Sequence, residues 1–153
     1  MRFVKGDLLK LAHQGEFDVI AHGCNCMCAM GAGIAKGIKA RFPAAFEADR
    51  STTRGDRSKL GTCTAAECPT TSGGAVTVVN AYTQYDYKGR GVKVDYDAVR
   101  TCMQWIASQY PNARIGLPKI GAGLAGGDWK TILGIIEDEM RDVDVTVVEF
   151  SPG

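Results

Sequence analysis

The chain carries a glycine-rich segment that reads His22-Gly23-Cys24-Asn25-Cys26-Met27-Cys28-Ala29-Met30-Gly31-Ala32-Gly33-Ile34-Ala35. Residues 18–21, directly before it, are apolar enough to predict a short buried strand. Directly after it, Ile34, Ile38 and Phe42 recur at four-residue spacing, as on one face of a helix. The predicted order is strand, glycine loop, helix. A helix entered in this way presents unpaired backbone N–H groups and a positive dipole end, so the loop is predicted to bind a phosphate or diphosphate.

Length and composition indicate one domain spanning residues 1–153. The chain has 153 residues, of which 45% are hydrophobic, enough to bury a core. Its 18 basic and 17 acidic side chains nearly cancel, so we expect no strong nucleic-acid signal and no attraction to a membrane surface. No apolar run approaches the roughly 18 residues of a membrane span, and the charged N-terminus lacks a signal-peptide core. We expect a cytoplasmic protein with a discrete ligand.

Six cysteines raise the question of a metal site. Cys24, Cys26 and Cys28 alternate, and together with His22 they allow a zinc interpretation. The spacing argues against it, because structural zinc sites usually leave two to four residues between paired ligands. A domain of this size also does not need disulfides for stability. We expect reduced, buried thiols, with no metal and no cofactor.

Strand and helix patterns alternate along the chain. Strands are predicted at 2–5, 17–22, 60–68, 75–82, 114–117 and 143–150, and helices from 34 to 41, from Pro43, from Asp95 to Tyr110 and after a cap at Asp128. The turn at 69–74 predicts a hairpin between the third and fourth strands. This alternation predicts an α/β fold of three α/β/α layers around a mixed, largely parallel sheet.

A second glycine loop at 118–127 also follows a strand and precedes a helix. The carboxyl ends of parallel strands share one edge of the sheet, so both loops should face one cleft. The first loop lacks the lysine and hydroxyl residue of an ATP- or GTP-binding phosphate loop. It also places Lys36 at the third glycine position of the dinucleotide fingerprint. Nucleoside triphosphate hydrolysis and hydride transfer are therefore disfavoured.

Four ordered motifs resemble those of the macro domain family, whose members bind ADP-ribose. They are Val4-Lys5-Gly6-Asp7-Leu8, the segment from His22 to Ala35, Val79-Asn80-Ala81-Tyr82, and Leu117-Pro118-Lys119-Ile120-Gly121-Ala122-Gly123-Leu124. The resemblance covers nearly the whole chain and implies the macro domain fold. It also implies that Asp7, Leu8 and Phe150 lie at the adenine and that Asn25 faces the distal ribose. The diphosphate would be enclosed by Met30, Gly31, Ala32, Gly33 and Ile34 and by Gly121, Ala122, Gly123 and Leu124.

Each of these residues also has a purely structural interpretation. Asp7 could cap a helical turn at 8–11, and Asn25 could be a turn residue. His22 could hydrogen-bond within the fold and order the glycine loop. Tyr82, Tyr85 and Tyr87 could be core or surface residues or ligand contacts.

His22 makes the chain similar to the branch of the family that includes ADP-ribose 1''-phosphate phosphatases. On this interpretation His22 and Asn25 are catalytic, and His22 assists the attack of water on the terminal phosphate or protonates the departing sugar oxygen. An alternative activity is release of ADP-ribose from modified macromolecules. The lysine and aspartate that some relatives use for that reaction correspond here to Gln84 and Ala125. A module that only binds ADP-ribose is the third possibility.

Overall fold

A six-stranded sheet forms the centre of the computed structural model, which describes residues 1–152. The strands are β1 (Arg2–Gly6), β2 (Val19–Cys24), β3 (Cys63–Pro69), β4 (Ala75–Tyr82), β5 (Arg114–Leu117) and β6 (Asp144–Phe150). Their order across the sheet is β1-β6-β5-β2-β4-β3. Neighbouring strands are parallel except for the antiparallel hairpin of β3 and β4. The predicted mixed, largely parallel sheet and the hairpin are confirmed.

Five α-helices cover the two faces of the sheet. They are α1 (Leu8–His13), α2 (Gly33–Arg41), α3 (Pro43–Arg50), α4 (Tyr96–Gln109) and α5 (Trp129–Glu139), and a short 3-10 helix spans Arg57–Lys59. Helices α1, α2 and α3 pack on one core, and α4 and α5 pack on the other. The three-layer α/β/α architecture is confirmed. The sequence left a helical turn at 8–11 as one interpretation, and the structure extends it to the six residues of α1, which are too few to establish a helical period.

Apolar residues of the central strands alternate between the two cores. Val19 and Ala21 of β2 join the core under α4 and α5, whereas Ile20 joins the core under α1, α2 and α3. Strands that are covered on both faces usually have a nearly continuous apolar sequence, and β2 has one. None of the helices within residues 1–152 is long and apolar enough to span a membrane.

Aspartates begin three of the helices. The side chain of Asp7 accepts from the N–H groups of α1, Asp95 accepts from the Ala98 N–H of α4, and Asp128 accepts from the Thr131 N–H of α5. Each carboxylate therefore satisfies donors that a helix leaves unpaired at its start. The predicted caps at Asp95 and Asp128 are confirmed, and Asp7 has the capping role that the sequence left open.

A substitution at Gly116 in β5 would test how tightly α1 packs on the sheet. A Cβ at this position would lie 2.8 Å from Leu8 Cδ1 and 2.8 Å from Phe17 Cδ2. We expect Gly116→Ala to lower the free energy of unfolding by about 1–3 kcal/mol, because the core must shift to accept the methyl group. Gly134 in α5 is the matched control, since a Cβ there meets nothing within 4 Å. Gly134→Ala should instead raise stability by about 0.5–1 kcal/mol in urea titrations. Equal effects at the two positions would contradict this packing.

Candidate functional site

The two glycine loops face each other across one cleft at the carboxyl ends of β2, β4 and β5. Two adjoining cavities of about 550 and 710 Å³ form this cleft, each within the usual size range of small-molecule sites. Both cavities are lined by Gly33, Ile34, Pro118, Lys119 and Gly123. The shared lining makes the cleft continuous. We call its two ends the Asp7 end and the Asn25 end, after the residues that line them.

The first glycine loop opens directly into α2. Ala32, the residue at the helix start, provides no side-chain cap. Gly33 has a φ of +59°, which side-chain-bearing residues rarely adopt. The residues from Gly31 to Ala35 line the cleft. The first backbone N–H groups of α2 are therefore left for an external acceptor, an arrangement suited to an anion.

The second glycine loop is folded tightly on itself. Gly121 has a φ of +75°, and a Cβ there would lie 2.8 Å from Val94 Cγ2. The Gly127 N–H donates to the Gly121 carbonyl at 2.8 Å. The exposed Leu124 side chain reaches across to the first loop, where a Cβ on Gly33 would lie 3.2 Å from Leu124 Cδ1. These glycines thus serve the folding of the loops as well as the shape of the cleft.

Asp7 has one oxygen in the helix cap and one directed elsewhere. Its Oδ1 accepts from the N–H groups of Leu9 at 3.0 Å and Lys10 at 3.3 Å. Its Oδ2 lies 3.5 Å from Arg41 Nη1, and both residues line the cleft. Leu8 and Phe150 line the same end, where Phe150 is 70% exposed. Capping and ligand binding are therefore compatible at Asp7.

Asn25 likewise combines a turn with a place on the cleft wall. Its Oδ1 accepts from the Met27 N–H at 2.9 Å and the Ala29 N–H at 3.4 Å, and its Nδ2 donates to the Ala29 carbonyl at 2.9 Å. An amide group carries two N–H donors, and one is used here. The second hydrogen remains for a hydroxyl group in the cleft.

His22 lies behind the cleft. The residue is completely buried and is not among the residues that line either cavity. Asn80 donates through Nδ2 to the Ala45 carbonyl, which directs its Oδ1 towards His22 Nε2 at 2.7 Å. His22 therefore donates from Nε2. Burial lowers its pKa to about 4, although the Asn80 hydrogen bond acts in the opposite direction. This geometry favours the loop-ordering interpretation over proton transfer.

Of the other residues predicted to bind the ligand, Met30 is also buried away from the cleft. It packs in a small core with Cys26 and Tyr82. Every remaining predicted binding residue lines the cleft: Asp7, Leu8, Asn25, Gly31, Ala32, Gly33, Ile34, Gly121, Ala122, Gly123, Leu124 and Phe150. Among the tyrosines, Tyr87 lines it, whereas the Tyr82 and Tyr85 hydroxyls donate to Asp49 and to the Gly55 carbonyl.

Charged residues on the wall were missed by sequence reasoning. Arg41 reaches the Asp7 end from the far end of α2, and no motif marks it. Lys119 donates to Glu149 Oε1 at 2.9 Å, and this contact lowers the pKa of the Glu149 carboxyl. Lys119 lies inside the Leu117–Leu124 motif, so the sequence places it in the second glycine loop without indicating its role. Gln84 lines the Asn25 end.

The cysteines form no metal-binding cluster in the part of the chain that the structure describes, where no three His, Cys, Asp or Glu side chains are suitably placed. All six are free thiols. Burial raises the pKa of Cys24 and Cys26, which keeps both protonated at neutral pH.

Comparison with known proteins gives the family. A family model described as the macro domain matches residues 21–136. The chain belongs to the macro domain family. An uncharacterised 17.5 kDa protein from the tk-vs intergenic region of enterobacteria phage T4 is 32% identical to it, over 99% of this chain and 97% of the phage protein.

Solved structures share the fold of this macro domain. A protein of unknown function from Bacteroides thetaiotaomicron is 26% identical, with a TM-score of 0.75 over 97% of this chain and 96% of that chain. A Trypanosoma brucei macrodomain in complex with ADP-ribose is 17% identical, with a TM-score of 0.65 over 97% of this chain and 62% of that chain. The latter likeness shows the fold alone.

His22 predicts a specific loss of stability in acid. The unfolded histidine binds a proton near pH 6.5, whereas the folded one does so only near pH 4. The contribution of His22 to the free energy of unfolding should therefore be fully present above pH 6.5. It should be lost as the pH falls towards 4, a loss on the order of 3 kcal/mol. His22→Asn should flatten the dependence of unfolding free energy on pH, and His13→Gln should leave the acid-induced loss in place.

An NMR titration of the wild-type protein gives a second measurement that does not depend on the variant folding. The His22 ring signals should stay constant from pH 8 to about pH 5, because the ring remains neutral there. Movement of these signals with a midpoint near pH 6.5 would show that the ring is accessible and would overturn its assignment as a buried neutral group.

Proposed function

We propose that the cleft binds ADP-ribose. The observation that carries this proposal is the convergence of the uncapped start of α2 and the second glycine loop on one continuous cleft. Backbone donors at a helix start suit a diphosphate, which bears negative charge at the middle of the ligand. The ADP-ribose complex of the Trypanosoma brucei macrodomain, which shares the fold, supports the proposal.

The proposed orientation puts adenine at the Asp7 end. A carboxylate oxygen accepts from the exocyclic amine of adenine, and Asp7 Oδ2 remains outside the helix cap. The exposed Phe150 ring offers an apolar surface for the base. At the other end, the remaining Asn25 N–H suits a hydroxyl of the distal ribose. The two glycine loops lie between these ends, where the diphosphate would bind.

Hydrolysis of ADP-ribose 1''-phosphate is the activity that we propose for the Asn25 end. Backbone N–H groups of the glycine loops would stabilise the oxygens of the terminal phosphoryl group, and Asn25 would hold the ribose. His22 then contributes by holding β2 and the glycine loop, because its ring is neutral and lies behind the wall. The proposal requires no metal and no cofactor.

A binding role without turnover is the second candidate. One observation favours it: the described residues that line the Asn25 end, Gly23 to Asn25, Ala29, Gln84 and Tyr87, include no carboxylate and no imidazole. General acid or base catalysis by a carboxylate or an imidazole is therefore not available there, and attack by water would depend mainly on the substrate and the loop amides. Release of ADP-ribose from modified macromolecules would face the same requirement.

Asp7→Asn separates binding from folding. Asparagine is as good a helix cap as aspartate, so stability should change by less than about 1 kcal/mol. The charged acceptor for adenine is lost, and we expect ADP-ribose affinity to fall roughly tenfold or more in calorimetric titrations. Asp144→Asn is the control, because Asp144 pairs with Arg2 outside the cleft and should leave affinity unchanged.

An analogue carrying hypoxanthine in place of adenine sharpens this test. It lacks the exocyclic amine, so the wild-type protein should prefer ADP-ribose, and Asp7→Asn should lose most of that preference. Equal affinities of the wild-type protein for both ligands would remove the role of Asp7. No heat with ADP-ribose at all would overturn the proposed function.

Turnover is tested by incubating the protein with ADP-ribose 1''-phosphate and, separately, with an ADP-ribosylated protein. We expect phosphate release that survives a chelator and that is lowered by Asn25→Asp, which keeps the oxygen that accepts from Met27 and Ala29 but loses the N–H donors. Between pH 6 and 8, the pH dependence of the rate should be the same for the wild-type protein and for His22→Asn. Tight ADP-ribose binding without phosphate release would instead establish the binding role, and ADP-ribose release from the modified protein would establish hydrolysis of modified macromolecules.

A further inference from the structure

Two loops beside the cleft hold a disproportionate share of the basic residues. Residues 50–59 and 84–93 together contain seven basic and two acidic side chains. The rest of the chain contains eleven basic and fifteen acidic side chains, so it is net acidic although the whole chain has a net charge of +1. Of this set, Lys59 is buried and the exposed Arg50 pairs with Glu47. We call the other five members, Arg54, Arg57, Lys88, Arg90 and Lys93, the basic collar.

Hydrogen bonds and a stacked pair hold the two loops of the collar together. The Tyr85 hydroxyl donates to the Gly55 carbonyl at 2.8 Å, and the Arg57 guanidinium lies 3.8 Å from the centre of the Tyr85 ring. Cys26 joins both loops, because its N–H donates to the Tyr85 carbonyl at 2.9 Å and its carbonyl accepts from the Gly55 N–H at 2.7 Å. The collar is therefore a defined surface built from distant parts of the chain.

The collar borders the Asn25 end of the cleft. Tyr87, next to Lys88, lines the cleft, and so does Gln84. At the other side of the same loop, the Lys93 N–H donates to the Ala125 carbonyl of the second glycine loop at 2.7 Å. A chain bound along the collar would thus run past the Asn25 end.

The charges of the collar are not neutralised within the fold. None of its five residues forms an ion pair with a carboxylate anywhere in residues 1–152. The two carboxylates of these loops are engaged by backbone donors: Asp56 accepts from the Ser58 N–H at 2.9 Å and Asp86 from the Tyr87 N–H at 2.7 Å. The collar therefore presents unpaired cations to solvent.

We propose that the basic collar binds single-stranded nucleic acid. Unpaired cations neutralise the phosphates of such a strand and release its counterions. Tyr87, which is 44% exposed, offers a ring on which a base can stack, as in other sites for single strands. An acidic protein would satisfy the charges but would leave this ring unused. A duplex keeps its bases stacked inside and could not use the ring.

The full chain is tested by fluorescence anisotropy with a labelled oligothymidine of about 16 nucleotides, the upper site size of many single-strand modules. We expect binding at low salt that weakens linearly with salt on logarithmic axes. Lys88→Gln with Arg90→Gln should weaken it at least about fivefold and lower the salt slope by about 1.4, the value for two lost phosphate contacts on a single strand. Neither residue lines the cleft, so ADP-ribose affinity should stay unchanged.

Lys10→Gln with Arg141→Gln is the matched control. Both residues are exposed and lie outside the collar and the cleft, and removing their charges should leave oligonucleotide binding unchanged. Equal weakening by this control would show attraction by net charge alone and would overturn the proposal. So would the absence of binding at low salt, or equal binding of a duplex or of polyglutamate.

Saturation with ADP-ribose separates the collar from the cleft. We expect the labelled strand to remain bound, because none of the five collar residues lines the cleft, although Tyr87 lies at the border of both surfaces. Complete displacement would place the strand in the glycine loops and overturn the collar. The inference does not rest on the proposed function: a strand that binds while ADP-ribose fails would remove only the latter, and the reverse result would remove only the collar.

Discussion

The start of α2 imposes the constraint on which the cleft depends. Helix α1, α4 and α5 each begin with an aspartate that accepts backbone N–H groups, whereas α2 begins at Ala32 with no side-chain acceptor. A helix start without a partner is unfavourable where water is excluded, and it is most favourable where an anion can approach. Gly33, with its positive φ, and the neighbouring small residues keep this approach open. Helix α3 also lacks a side-chain cap, but it begins with Pro43, which has no N–H to satisfy, so α2 is the helix whose free donors lie where a diphosphate is proposed.

Residues around this helix start serve the fold and the cleft at the same time. One oxygen of Asp7 caps α1 while the other faces Arg41, and three of the hydrogen-bonding positions of Asn25 hold its own turn. Their structural roles fix the orientation of both side chains without ordering by a ligand. A preorganised donor or acceptor loses little conformational entropy on binding. The structural and functional interpretations of these residues therefore reinforce each other.

Sequence periodicity was sufficient for the architecture because the central strands β2, β4 and β5 are largely buried on both faces and the longer helices have clear apolar stripes. It also located the cleft wall, since glycine loops between a strand and a helix leave little conformational choice. Periodicity could not show whether the His22 side chain points into the cleft or into the core. That direction depends on the pairing of β2 with β4, which brings His22 opposite Asn80. The overall charge balance hid the basic collar, because the two loops lie about 30 residues apart and meet only through Cys26 and Tyr85.

The two ends of the cleft differ in how their charges are balanced. At the Asp7 end, Arg41 faces Asp7 and Lys119 pairs with Glu149, so the protein compensates its own charges there. At the Asn25 end the lining residues are uncharged apart from Lys119, which is paired with Glu149, and the unpaired cations lie beyond them in the collar. A neutral base with hydrogen-bonding groups suits the first end, because it need not displace a strong ion pair. An extended anion that continues out of the cleft suits the second, since its charge is met only after it has passed the ribose position.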